Sequence, residues 1–189
     1  MRNKLNANFG EVKLVHTIKD KKEFYVVDFT ERTKSARSVE VLETPDIDPL
    51  TINNPDKLSI TTSIFKPQSL VHENNKVIKQ CECVMYLTTN TSSTWVLFIE
   101  IKDCKPSNAS VYHKDVKEKI ITNVGFFREK GIIPSDKKVY AVVSFPRKGK
   151  TNFHNHLIKS PEQKHFRDLH KIMIKGTNEI TIKNDRTIL

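Results

Sequence analysis

A mixed α/β sheet is the fold class predicted here, and three consecutive patterns predict it. A pair of apolar strand-like runs at 77–87 and 95–102 is followed by a helical repeat at 111–129 and a further apolar run at 139–145. The order strand, turn, strand, helix, strand brings the last strand into the sheet by a helical crossover. The 189 residues hold no Pro/Gly/Ser-rich linker, so 1–189 reads as a single domain with its core near 75–145.

Along the chain, Gly10 offers a turn before the first pattern. Val12, Leu14, His16 and Ile18 then alternate with their neighbours, Lys19 to Lys22 make a polar turn, and Phe24 to Phe29 resume as a strand, which predicts an N-terminal hairpin. From 30 to 70 the periodicity is poor and Pro45, Pro49, Pro55 and Pro67 interrupt it. The expectation there is a long irregular connection with short strands at 38–42 and 58–65, either a surface insertion or a loop facing a substrate.

The next region is sharper. Cys81, Cys83, Met85 and Leu87 fall on one face of a strand, with Glu82, Val84 and Tyr86 on the other. After a polar turn at 88–94, Trp95, Leu97, Ile99 and Ile101 share one face and Val96, Phe98, Glu100 and Lys102 share the other. An antiparallel hairpin in suitable register brings Glu82 beside Glu100 and Lys102.

Beyond the break at Pro106, Tyr112, Val116, Ile120, Val124 and Phe127 recur at helical spacing, and Gly131 ends that helix. A strand at 139–145 follows. Ser160 as cap and Pro161 in the first turn open a short helix to about residue 169. Residues 171–182 read as a small hairpin around Gly176, Thr177 and Asn178.

Composition narrows the function classes. Lys and Arg number 32 against 22 Asp and Glu, a formal charge of +10, which attracts polyanions and points to nucleic acid. No apolar run approaches the roughly 20 residues of a membrane span. The N-terminus has no apolar segment behind its basic start, so no secretory signal and a cytoplasmic location are expected. Cys81, Cys83 and Cys104 are an odd set, expected as reduced thiols because they lack a zinc-knuckle spacing. His154, His156, His165 and His170 form no zinc-hydrolase motif and are expected at the surface or in loops. Glycine-rich phosphate loops and a serine nucleophile elbow are both missing.

Glu100 is the polar residue least at home in its surroundings, since it interrupts an apolar strand. A sheltered carboxylate needs a cation, a proton or donors close by. Lys102 is one partner on the same face. A second carboxylate at Glu82 would need to share a cation with it. Two carboxylates, the Ile101 carbonyl and waters suit Mg²⁺, with Mn²⁺ as a substitute, and an adjoining lysine can orient or help deprotonate an attacking water. The alternative is a plain Glu100–Lys102 salt bridge with Glu82 solvated.

The runs Cys81-Glu-Cys-Val-Met-Tyr-Leu87 and Trp95-Val-Leu-Phe-Ile-Glu-Ile-Lys102 resemble the central hairpin of the PD-(D/E)xK nuclease superfamily. The resemblance implies a restriction-endonuclease-like fold, a mixed central sheet flanked by helices. It also implies metal-dependent phosphodiester hydrolysis, with DNA the expected polymer, by Glu82, Glu100 and Lys102. Glu82 stands where Asp is usual. A further acid from an upstream element is common in the superfamily, and Glu40, Glu43 and Glu73 are all candidates. His113, Lys114, Lys117 and Lys119 on the helix, and Arg147, Lys148 and Lys150 after the last core strand, are expected to contact phosphates. Members that break both strands often act as dimers, so a homodimer is among the expected assemblies. The rival reading keeps the fold as a nucleic-acid-binding or protein-interaction domain without turnover.

Overall fold

The alternating and helical patterns take the form of ten strands and three α-helices in the computed structural model, which describes residues 1–10, 13–29, 38–72, 74–89, 94–137, 139–149 and 157–189. In chain order these are α1 (Arg2–Phe9), β1 (Leu14–Lys19), β2 (Glu23–Asp28), β3 (Val39–Leu42), β4 (Leu50–Asn53), β5 (Ile60–Phe65), β6 (Cys83–Leu87), β7 (Val96–Ile101), α2 (His113–Glu129), β8 (Val139–Ser144), α3 (Ser160–His170), β9 (Ile172–Gly176) and β10 (Glu179–Thr181). Short 3-10 segments at Pro106–Tyr112 and Pro146–Lys148 precede α2 and follow β8.

Two sheets result. One has the order β1-β5-β6-β7-β8-β9 and the other β10-β4-β2-β3. The larger is mixed, antiparallel from β1 through β7 and parallel from β7 to β9. The parallel β7–β8 pair is joined through α2, as the strand, helix, strand pattern requires.

Period-two alternation assigns the two faces of the larger sheet to different layers. Val84, Tyr86, Val96, Phe98, Ala141 and Val143 pack on Leu5 and Phe9 of α1, on Val116, Ile120, Val124 and Phe127 of α2, and on Phe166 of α3. Their strand neighbours Cys83, Met85, Leu97, Ile99, Ile101 and Val142 pack instead on Phe24, Val26, Leu50 and Ile52 of the smaller sheet. Both faces being covered, β6 and β7 are buried at every position. The architecture is therefore mixed α/β, with helices on one side of the central sheet and a second sheet on the other.

Several parts of the sequence reading need correction. The segment 11–30 is not a hairpin, because β1 pairs with β5 while β2 pairs with β3 and β4 in the other sheet. Residues 171–182 differ in the same way: β9 lies parallel to β8 and β10 lies parallel to β4. Alternation reveals an extended segment with one apolar face, but it does not choose the partner. Packed sheets lie about 10 Å apart, and a link of two or three residues can span about that distance. The links 20–22 and 177–178 therefore carry the chain between layers instead of reversing it within one.

The connection carries the strands expected near 38–42 and 58–65, as β3 and β5, and within its described part also β4, which was not expected. β5, buried throughout, occupies the position between β1 and β6. Its Thr61, Thr62 and Ser63 break the apolar alternation, yet Thr61 bonds Thr88 at 2.9 Å and Ser63 bonds Tyr86 at 2.9 Å. Hydroxyls partnered in this way are tolerated inside a core, whereas the Thr62 hydroxyl is buried without a partner among the described residues. The helix α1 was not signalled by periodicity. Its Leu5 and Phe9 are its buried side chains, and His16 of β1 joins Asn6 at 2.7 Å to Ser63 at 2.8 Å. The strand expected from Val77 begins at Cys83, and Lys159 rather than Ser160 precedes α3 as its cap residue.

Phe127 anchors the helical layer, with its ring edge-on to Phe98 at 4.9 Å and to Phe65 at 5.9 Å. Truncating this fully buried ring leaves a cavity under α2. Phe127→Ala is expected to cost about 3–5 kcal/mol of stability, read as a lower urea midpoint.

Candidate functional site

The β6–β7 register brings the acidic pair together. Cys83 lies opposite Ile99 and Val84 opposite Phe98. The Glu82 amide, one residue before β6, donates to the Ile99 carbonyl at 3.0 Å, so the chain at Glu82 still runs beside β7, near enough for the Glu100 charge to act on the Glu82 carboxyl. Both belong to the helix-facing side of the sheet, as the alternation predicts.

Glu100 has no solvent exposure, and two ammonium groups meet at one of its oxygens. Lys119 Nζ, only 9% exposed, donates to Oε1 at 2.5 Å, and Lys102 Nζ lies 3.0 Å from the same atom. The other oxygen, Oε2, is buried without a hydrogen-bond partner among the described residues. A buried acceptor left in that condition carries a desolvation cost.

Asn123 holds this arrangement in place. Fully buried in α2, it accepts from the Cys81 amide at 2.9 Å and donates to the carbonyls of Lys79 and Lys119, both at 2.7 Å. One side chain thus ties the approach to β6 to the helical turn that carries Lys119. Ile101 turns its side chain into the opposite core, leaving its carbonyl as the group it can offer between Glu100 and Lys102.

The charges act on one another. Burial, then the Glu100 charge, then Asp28 raise the half-buried Glu82 carboxyl to about 8, against the pull of Lys119 and Lys102. Burial alone would lower the Lys102 ammonium, but Glu100 outweighs it by charge and hydrogen bond, with Glu82 adding to the effect, and the net shift is upward. Lys102 therefore remains an ammonium in the metal-free site. It is suited to orienting a water or balancing negative charge rather than to accepting a proton.

Asp28, at the end of β2 and 7% exposed, is the upstream acid whose charge reaches Glu82. Among the acids singled out from sequence, Glu43 is taken up at the surface by Lys19 at 2.8 Å and Lys21 at 3.5 Å. Glu40 is half-buried in β3, opposite Val27, and Glu73 lies outside the described residues. A signal for Asp28 existed, since it interrupts the apolar run Phe24–Phe29 much as Glu100 interrupts its own strand. Among the described residues, no three His, Cys, Asp or Glu side chains converge closely enough to enclose a metal ion.

The expected phosphate contacts divide. Lys119 is inside the site, not on a solvated helix face. Lys117 is taken up by Glu162 at 2.5 Å, and the His113 ring packs against Phe145. Lys114 is on the exposed face, 3.7 Å from Glu118. Arg147 makes a two-pronged bond to the buried Asp103, at 2.7 and 3.0 Å, with Lys148 beside it. Lys150, like His154 and His156, lies outside the described residues. The cysteines are free, and burial raises the thiols of Cys81 and Cys83. His165 and His170 lie with ring centres 6.0 Å apart on α3.

A cleft of about 380 Å³ opens beside Lys102, between the residues that follow β7, Tyr112 and Arg147. Lys102, 24% exposed, is the residue that the cleft shares with the buried pair, since neither Glu82 nor Glu100 lines it. No described helix is long and apolar enough to cross a membrane.

Comparison with known proteins adds no relative. No protein-family model, no curated protein and no solved structure matches the chain.

The pairing of Glu100 with Lys119 has a measurable consequence. Lys119→Met leaves the buried carboxylate with Lys102 as its remaining cation among the described residues and is expected to cost about 3 kcal/mol, whereas adding Glu100→Gln to it restores part of that loss, as a double-mutant cycle would register. A pH dependence also follows. Because the folded Glu82 holds a proton to about 8 while its ordinary value is 4.5, the folded state binds more protons between those limits. Stability of the metal-free protein is present below that window and declines as pH rises through it. Glu82→Gln should flatten the decline seen in urea midpoints across the window.

Proposed function

We propose that this protein is a divalent-metal-dependent endonuclease of restriction-endonuclease-like fold, acting on phosphodiester bonds with DNA as its expected polymer. The observation that carries the reading is the pair of electrostatically linked carboxylates on neighbouring chain segments, one with a buried oxygen that has no partner among the described residues, beside a lysine that lines a cleft. The order of an antiparallel pair, a helix and a parallel third strand is consistent with the resemblance of the central hairpin.

Mg²⁺, or Mn²⁺ in its place, fits the chemistry of the residues present. The donors are hard oxygens, and a cation would relieve both the unpartnered Glu100 Oε2 and the Glu82 carboxyl that burial and the neighbouring acids push upward. Glu82, Glu100 and the Ile101 carbonyl would hold it. Such an ion, when bound, supplies polarisation of the phosphate and a lowered pKa for water. The protein's own residues do the rest. Lys102, retained as an ammonium, orients the attacking water and balances charge developing on the phosphate. Lys119 positions Glu100 from behind through Oε1 and is not placed to touch substrate. The net charge of +10 gathers the polyanion.

A second reading is favoured by one specific feature, the two lysines already neutralising Glu100. In that reading the ammonium groups stand permanently where a metal would act, and the domain binds nucleic acid or a protein without turnover.

The deciding experiment is Mg²⁺- and Mn²⁺-dependent cleavage of linear, supercoiled, single-stranded and branched nucleic acids. Glu100→Ala and Lys102→Ala are expected to lose activity by about a hundredfold or more while circular dichroism shows them folded. A wild type that binds the panel but leaves it intact would favour the second reading.

A further inference from the structure

The cleft beside Lys102 has a composition that the proposed cleavage chemistry does not explain. Lys102, Lys105 and Arg147 supply three cations, and the one carboxylate among its walls, Asp103, has both oxygens engaged by Arg147. The cleft is therefore electropositive. Lys105 is exposed, and no carboxylate sits on its ammonium among the described residues. The half-buried Tyr112 gives the cleft an aromatic wall, and the Lys102 ammonium lies 6.0 Å from its ring centre. Asn108 adds a carboxamide from the 3-10 segment.

We propose that this cleft seats one unpaired nucleotide of a single strand, its base stacked on Tyr112 and its phosphate flanked by Lys105 and Arg147. Size, charge and ring together select this ligand. A volume of about 380 Å³ lies in the range of small-ligand sites and admits one nucleotide, whereas a continuous duplex would have to remain outside. Cations paired with an aromatic platform are the recurring means of holding single strands. An acidic peptide would meet the cations but leave the Tyr112 ring without a planar partner. Lys102 belongs to both the cleft and the acidic pair, so a strand seated here passes directly by the proposed cutting centre. The substrate class that follows is a single-stranded or frayed segment rather than an uninterrupted duplex.

This inference rests on the nuclease reading for its biological sense but not for its test, because binding is measured with EDTA present. Fluorescence anisotropy would compare a short labelled oligothymidylate, the same strand annealed into duplex, and oligoglutamate. The single strand is expected to bind on the order of tenfold more tightly than the duplex. Tyr112→Ala should weaken it by about tenfold, and Tyr112→Trp should retain it. Lys105→Ala should weaken it and reduce the slope of log affinity against log salt by about 0.7. Lys22→Ala, which removes an exposed cation from the β1–β2 link, should preserve the preference for single strand over duplex.

Equal or tighter binding of the duplex, oligoglutamate binding that matches the single strand, or unchanged binding by Tyr112→Ala and Lys105→Ala would overturn the proposal. Should Tyr112→Ala fail to fold, the exposed Lys105→Ala and the ring-preserving Tyr112→Trp decide alone. The expected binding without cleavage under Mg²⁺ would defeat the nuclease reading and leave this one standing. Cleavage with no single-strand preference would do the reverse.

Discussion

Burial of the Glu100 carboxylate within β7 is the constraint around which the site is arranged. An ionised group without solvent must find its compensation inside the protein, and Glu100 finds it in Lys119 from the helix above and Lys102 from its own strand. That demand fixes which turn of α2 must lie over the sheet. Asn123 sets the same turn against the backbone at Cys81 and Lys79, so the charge pair and the hydrogen bonds agree on one docking of helix and strands. The compensation is uneven, since both lysines use Oε1, and the unpartnered Oε2 is what gives the site its chemical interest.

The second sheet explains why so polar a cluster can sit at the centre of the fold. With the apolar face of β6 and β7 closed by Phe24, Leu50 and Ile52, the pair sits on the opposite, helix-covered face of the sheet. Electrostatic effects in so sheltered a place are stronger than at a surface. Glu82 accordingly responds to Glu100 and to Asp28 of the neighbouring sheet. The layer that seals the core also carries the acid whose charge reaches Glu82.

Much of this was legible along the chain, and particular residues show why. Glu82, Glu100 and Lys102 could be assigned to one face because strand alternation has a period of two and leaves no freedom once the strand is recognised. Lys119 was harder. It lies three residues after Val116 and one before Ile120, on the buried stripe of α2 with Asn123, and that spacing was available. Charge, however, suggested solvent, and only a buried partner reverses that inference. Asp28 carried a similar signal inside an apolar run but pointed to nothing until the smaller sheet stood beside the larger.

By itself, the amino-acid sequence determined what depends on neighbours along the chain: the extended and helical segments of the core, the sides their residues take, and the placing of Glu82 and Glu100 on one face. Tertiary structure alone decided which strands pair when a short polar link can either reverse the chain or cross between layers. It placed β5 in the large sheet despite its hydroxyls, brought Lys119 and Asp28 to the acidic pair, and set Tyr112, Lys105 and Arg147 around one cleft. Local sequence specifies dihedrals and faces, whereas these contacts join residues far apart in the chain, and burial in a common core selects among pairings that local pattern leaves equivalent.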